Sequence, residues 1–230
     1  MGRRLPQLRA AIYWAPELDD PLHAAGSVWL GRDAETAATL PQPDIEDLHA
    51  ITADPRGYGL HGTLKPPFHL ANGYPAFVRD AHAWAGRVAP FALPPLSVQD
   101  LQGFLALRET SHCAALHALA DSAVTALDLH RAPPSEAEMA RRQKAALTPM
   151  QQSLLARWGY PYVMEEWRFH VTLTRRLSPE EAARVRPAAE AHFAEIAERP
   201  RKVGTVCVFT QAAPGAPFLL AERLSLRGGV

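Results

Sequence analysis

The sequence predicts an α+β fold of two pseudo-symmetric halves around a central cleft, and two observations carry that prediction. One is a repeated order of elements, strand–helix–strand–strand. Its members open at Tyr58, Tyr74, Phe91 and Gly103 in the first half and at Trp167, Ser178, Val203 and Phe218 in the second. The other is a repeated motif at the head of each series, His61-Gly62-Thr63-Leu64 and His170-Val171-Thr172-Leu173. In an extended chain alternate side chains share a face, so His61 lies beside Thr63 and His170 beside Thr172. The expected organisation is one bilobal domain over residues 1–230. Antiparallel sheet with flanking helices forms lobes of about 1–130 and 160–230, and a helical insertion occupies about 131–159.

The elements follow in order. Leu8–Trp14 predicts a first strand ended by Pro16. Asp19 and Asp20 before Pro21 mark a helix start, because carboxylates cap the free N–H groups and proline has none to lose there. That helix is expected to reach Leu30, before Gly31. Asp44–Ala53 predicts a short helix, and Asp54-Pro55-Arg56-Gly57 punctuates the approach to the first motif. Tyr58–Lys65 is expected as a strand closed by Pro66-Pro67, since proline cannot continue a central ladder. Tyr74–Val88 has helical spacing, with Phe77, Ala81, Trp84 and Val88 on one stripe. Phe91–Leu96 and Gly103–Arg108 predict a hairpin, and Cys113–Leu129 an amphipathic helix. Ser135-Glu136-Ala137-Glu138 and Thr148-Pro149 each start a helix of the insertion, the second running to Trp158. Strand Trp167–Arg175, a helix from Ser178 to about Ala197, and strands Lys202–Gln211 and Pro217–Leu226 complete the chain.

Composition narrows the function. The 230 residues can bury a substantial core, and a 47% hydrophobic fraction is ordinary for a globular domain. Lys and Arg number 24, as do Asp and Glu, so the surplus of positive charge needed for nonspecific duplex or membrane binding is missing. A small phosphorylated ligand needs only a few local donors. Cys113 and Cys207 are too few for a disulfide framework or a zinc site. The start of the chain lacks the apolar run of a signal peptide, and no stretch is long enough to span a bilayer, so the expected location is the cytoplasm. Arg3-Arg4 lacks the apolar segment that a twin-arginine signal requires. His112, Cys113 and His117 lack a ligand set of suitable spacing, and no metal or cofactor is expected. His69, His82 and His192 stand singly, and neither a Walker-type loop nor a Gly-x-Ser-x-Gly elbow is present.

The motifs themselves permit acid–base chemistry on a phosphodiester. The hydroxyls of Thr63 and Thr172 can donate to anionic oxygens. Imidazoles titrate near neutral pH, so His61 and His170 can take a proton from an attacking water and give one to the leaving oxygen, with no metal required. Strict alternation adds Lys65 to the face of His61 and Thr63, as a phosphate-neutralising cation or a solvent-facing strand end. It adds Thr174 to that of His170 and Thr172.

At these residues the chain resembles the two-histidine phosphoesterase superfamily, whose members carry paired His-x-Thr/Ser motifs in a duplicated α+β fold and include RNA ligase-like cyclic phosphodiesterases. The wording of His61-Gly62-Thr63-Leu64-Lys65-Pro66-Pro67-Phe68, Asp54-Pro55-Arg56-Gly57-Tyr58-Gly59, Trp158-Gly159-Tyr160-Pro161-Tyr162-Val163 and Phe169-His170-Val171-Thr172-Leu173-Thr174 resembles a branch described as phosphonate-metabolism proteins of unknown function. The resemblance implies His61 and His170 as the catalytic pair, Thr63 and Thr172 as phosphate holders, and a first strand whose Tyr13 lines the cleft. Tyr13, Tyr160, Tyr162 and Arg168 are substrate-contact candidates. Arg141 and Arg142 of the insertion form either a solvated face or a clamp for a second phosphate.

The expected activity is therefore hydrolysis of a small cyclic phosphodiester, such as a cyclic sugar phosphate. Two alternatives stand beside it. One is a phosphate- or nucleotide-binding module without turnover; the other is a cyclic phosphodiesterase acting on RNA ends, which the balanced charge disfavours.

Overall fold

The computed structural model describes residues 8–134 and 146–229. Its strands are β1 (Arg9–Trp14), β2 (Gly62–His69), β3 (Phe91–Leu93), β4 (Leu96–Leu101), β5 (Phe104–Glu109), β6 (Val171–Thr172), β7 (Arg201–Val203), β8 (Thr205–Gln211) and β9 (Leu219–Ser225). Its helices are α1 (Pro21–Leu30), α2 (Leu48–Ile51), α3 (Ala53–Tyr58), α4 (Tyr74–Ala85), α5 (Ala114–Leu127), α6 (Pro149–Trp158) and α7 (Pro179–Ala197). Seven strands form one sheet in the order β4-β5-β6-β2-β1-β8-β9, and β3 pairs with β7 in a separate ribbon. All the pairings are antiparallel, so the fold class is α+β.

The caps read from sequence are present. Asp20 accepts the Leu22 N–H at the head of α1, and Thr148 and Ser178 form capping boxes with Gln151 and Glu181 ahead of α6 and α7. Alternation on β1 divides the sheet. Ala10, Ile12 and Trp14 join the main core with residues of α1, α4, α5 and α7, whereas Ala11 and Tyr13 join a smaller cluster with Cys207, Phe209 and Phe218. The second face carries the cleft.

Several expectations need correction. Asp54–Gly57 does not interrupt the chain but forms α3, with Pro55 near the helix start, where it is tolerated. The strand expected from Tyr58 starts only at Gly62, Tyr58 being the last residue of α3, and β2 continues through Pro66 and Pro67. It meets β6 only at Gly62, and the register to β1 shifts between Ala10 and Ile12, so the prolines sit in an irregular stretch with one open edge. The hairpin is β4–β5; Phe91–Leu93 lies before Pro94-Pro95 and pairs with β7 instead. The strand expected at Trp167–Arg175 shrinks to Val171–Thr172; past its C-terminal end the Leu105 N–H is taken by the Thr174 hydroxyl rather than by backbone. The first helix of the insertion, with Arg141 and Arg142, lies outside the described residues.

Candidate active site

The two motifs meet at their spacers. Gly62 pairs with Val171, and antiparallel register then sets Thr63 level with His170 and His61 level with Thr172. A side chain at residue 62 is excluded, because a Cβ there would stand 2.5 Å from the Phe169 ring. The Trp167 indole adds a second tie, donating to the Thr63 carbonyl at 2.8 Å.

Both histidines are oriented the same way. His61 Nδ1 lies 2.9 Å from the Gly59 carbonyl and His170 Nδ1 lies 2.8 Å from the Arg168 carbonyl. A carbonyl only accepts, so each Nδ1 carries the hydrogen, and neither Nε2 has a hydrogen-bond partner among the described residues. The Gly59 carbonyl is set by a φ of 80°, where glycine is unstrained.

The surroundings of the two rings differ. The Tyr13 ring stacks on His61 at 3.9 Å between centroids, with Tyr58 at 5.8 Å and Phe209 at 6.1 Å. Burial among these rings pushes the His61 pKa down to about 4, and the charge of protonated His170 adds to the effect. His170 packs edge-on to Phe104, and burial lowers its pKa too, with Arg108 lowering and Glu109 raising it. One oxygen of Glu109 is buried without a hydrogen-bond partner among the described residues.

A cleft of about 540 Å³ opens here, a size suited to a small ligand. His61, Thr63 and Thr172 line it, and His170 does not; Arg9, Tyr13, Tyr58 and Phe104 line it from the first half and Arg175 and Arg176 from the second. Neither the Thr63 nor the Thr172 hydroxyl is engaged by another protein group among the described residues. From the described part of the insertion, Leu147 and Leu155 face the cleft, followed by Tyr160, Pro161 and Tyr162. Among the described residues no group of three or more His, Cys, Asp or Glu side chains could hold a metal ion.

Lys65 is the clearest departure from expectation. The register moves from Tyr13–Thr63 to Ile12–Lys65, so one extra β2 residue reverses the alternation and turns Lys65 to the core side. There it is 2% exposed, bonded to the Val124 carbonyl and to Asp128 Oδ1, each at 3.2 Å. Burial lowers its pKa to about 8 against the pull of Asp128. Thr174 reaches the cleft wall, but its oxygen accepts the Leu105 N–H at 2.9 Å and the residue is buried. Arg168 is exposed, does not line the cleft and donates to the Glu165 and Trp167 carbonyls. Tyr13 is buried against His61, so its ring supports the histidine rather than offering an open stacking surface.

Arg9, Tyr58 and Phe104 were missed. A signal existed for two of them: Tyr58 stands three residues before His61, and Arg9 shares the alternate face of Ala11 and Tyr13.

Residues 63–219 match a protein family described as protein of unknown function DUF1045. The chain belongs to this family. Two similar proteins carry the name ribose 1,5-bisphosphate phosphokinase PhnN. The one from Janthinobacterium sp. (strain Marseille) is 38% identical and that from Laribacter hongkongensis (strain HLHK9) 36%, over 96% and 94% of this DUF1045 chain. The match covers 51% of each relative, so the chain spans about half their length. Solved structures that align with it are E. coli LigT with NADP+ (TM-score 0.45, 13% identity, 97% of this chain and 99% of LigT) and with 3'-AMP (0.44, 12%, 96% and 98%). A structure described as a phosphoesterase aligns at 0.42 with 13% identity, over 96% and 98%. No helix among the described residues is long and apolar enough to cross a membrane.

Proposed function

We propose that this DUF1045 chain is a metal-independent phosphodiesterase of the two-histidine kind that opens a small cyclic phosphodiester. The observation that carries the reading is the antiparallel meeting of the motifs, with two hydroxyls unengaged among the described residues and two histidines whose Nδ1 atoms are held by backbone. A phosphoryl group between Thr63 and Thr172 would be flanked by both Nε2 atoms. Water attacks phosphorus as His61 Nε2 accepts its proton. The P–O bond to one sugar oxygen breaks, and protonated His170 Nε2 donates to that oxygen, leaving a phosphomonoester. His61 suits the accepting role because aromatic rings disfavour its charged form; His170 has Glu109 nearby to favour its own.

The substrate we propose is the cyclic 1,2-phosphate of ribose 5-phosphate. Hydrolysis of its bond to O2 leaves ribose 1,5-bisphosphate, the compound named in the two longer relatives. The balanced charge and the leucine- and tyrosine-lined cleft support a small sugar phosphate over an RNA end. The fold supports a bilobal reading, since hairpin β4–β5 flanks β6 while β8–β9 lies beyond β1 on the other side of β2.

Phosphorus NMR of the purified chain with this cyclic phosphate, in excess chelator, tests the reading. Conversion to ribose 1,5-bisphosphate is expected. Tight binding without conversion would favour a binding module, and faster opening of an oligonucleotide cyclic end would favour the RNA reading.

A further inference from the structure

We propose that Arg9 is the specificity residue of this cleft, binding a second phosphate carried by the substrate as a phosphomonoester. The inference rests on the phosphodiesterase reading for its reacting phosphate, but its own evidence lies about 13 Å along β1 from Tyr13, four residues at strand spacing. Arg9 lines the cleft and shares the face of Tyr13, and its charge acts on the Tyr13 phenol, which stacks on His61. The Phe218 ring bridges the two, its centre 5.7 Å from the guanidinium carbon and 6.3 Å from the centre of the Tyr13 ring.

Among the described residues its partners are all neutral. Arg9 Nη1 donates to Gln211 Oε1 at 2.9 Å, and the guanidinium carbon stands 5.7 Å from the centre of the Phe218 ring. Gln211 is itself buried, and its amide nitrogen donates to the Ala216 carbonyl, which fixes the oxygen toward Arg9. No carboxylate lies within ion-pair distance of Arg9 among the described residues. The other cleft cations differ: Arg175 is held by both oxygens of Glu181, and Arg176 is exposed and donates to the Gln102 carbonyl. A half-buried arginine held in place by an amide and a ring keeps its charge and several N–H donors for an anion. A phosphomonoester matches that fork with paired charge-assisted bonds.

The test compares kcat/KM for the cyclic 1,2-phosphates of ribose 5-phosphate and of ribose. Wild type should prefer the first by at least about tenfold, the worth of a charged hydrogen bond. Arg9→Gln should erase most of that preference, and Arg9→Lys should keep part of it. The ratio is internal to each protein, so partial misfolding lowers both rates and leaves it intact. An unchanged ratio in Arg9→Gln overturns the proposal. If wild type opens neither compound, the phosphodiesterase reading fails separately. Calorimetry with ribose 5-phosphate then decides on Arg9: binding weakened at least tenfold by Arg9→Gln supports it, and equal binding overturns it.

Discussion

Gly62 and Val171, the spacer residues of the two motifs, are paired with each other across the centre of the sheet. This one contact makes a single site of two segments more than 100 residues apart, because it sets each threonine level with the other motif's histidine.

Gly62→Ala tests that convergence. Its methyl would meet the Phe169 ring at 2.5 Å, and overpacking of this kind costs about 1–3 kcal/mol. The expected result is a thermal midpoint lowered by several degrees and kcat/KM reduced at least about tenfold. A variant with normal stability and activity would show that the close packing of the spacers is dispensable.

The depressed histidine pKa values fix the direction of two pH effects. The base must be neutral, which holds above about 4 for His61, and the acid must be protonated, which holds below the lowered pKa of His170. The kcat/KM profile should therefore peak on the acid side of pH 6.5. For stability, an unfolded histidine binds a proton below about 6.5, whereas folded His61 does so only below about 4. Between those values the unfolded state holds more protons, so the His61 contribution is complete above 6.5 and declines as pH falls. Urea midpoints at pH 5 and pH 7 should differ less in His61→Asn than in wild type.

The three threonines should separate by function. Thr63→Val and Thr172→Val each remove a hydroxyl that no other protein group engages among the described residues. Each should lower kcat/KM about 10²–10³-fold with little change in thermal midpoint. Thr174→Val instead strands the buried Leu105 N–H, at a cost of about 1–3 kcal/mol. It should melt early, and equal melting of all three variants would contradict this division.

Lys65 and Asp128 should behave unequally. In Lys65→Met, Asp128 keeps the paired bonds from Arg131 at 2.8 and 2.9 Å, so stability should change by less than about 1 kcal/mol. Asp128→Ala leaves the Lys65 ammonium buried without its counter-charge and should cost about 3–5 kcal/mol. A Lys65→Met variant with intact stability and abolished turnover would return Lys65 to the phosphate site.

Much of this was legible in the sequence, and the failures share a cause. Capped helices are local signals, and Asp20 and Ser178 cap helices where those signals put them, whereas His61 and His170 each lie one residue before the strand expected to carry them. Strict alternation placed Lys65 on the cleft face, but a bulge against β1 reverses the pleat after Thr63, and no residue type announces it. The same irregular register carries Pro66 and Pro67 inside β2. The C-terminal end of the short β6 reflects a side chain, Thr174, taking a backbone donor on the neighbouring β5. Arg9 was missed because its significance lies in which partners it lacks, a property of the assembled cleft.

Single and double substitution of the two histidines tests the central claim most directly. With a cyclic phosphodiester substrate in chelator, His61→Asn and His170→Asn should each lower kcat by about 10²–10⁴-fold. The double variant should be scarcely worse than either single one, because the pair acts as a unit. Wild-type rates in either single variant, with its fold confirmed by thermal melting, would contradict the account.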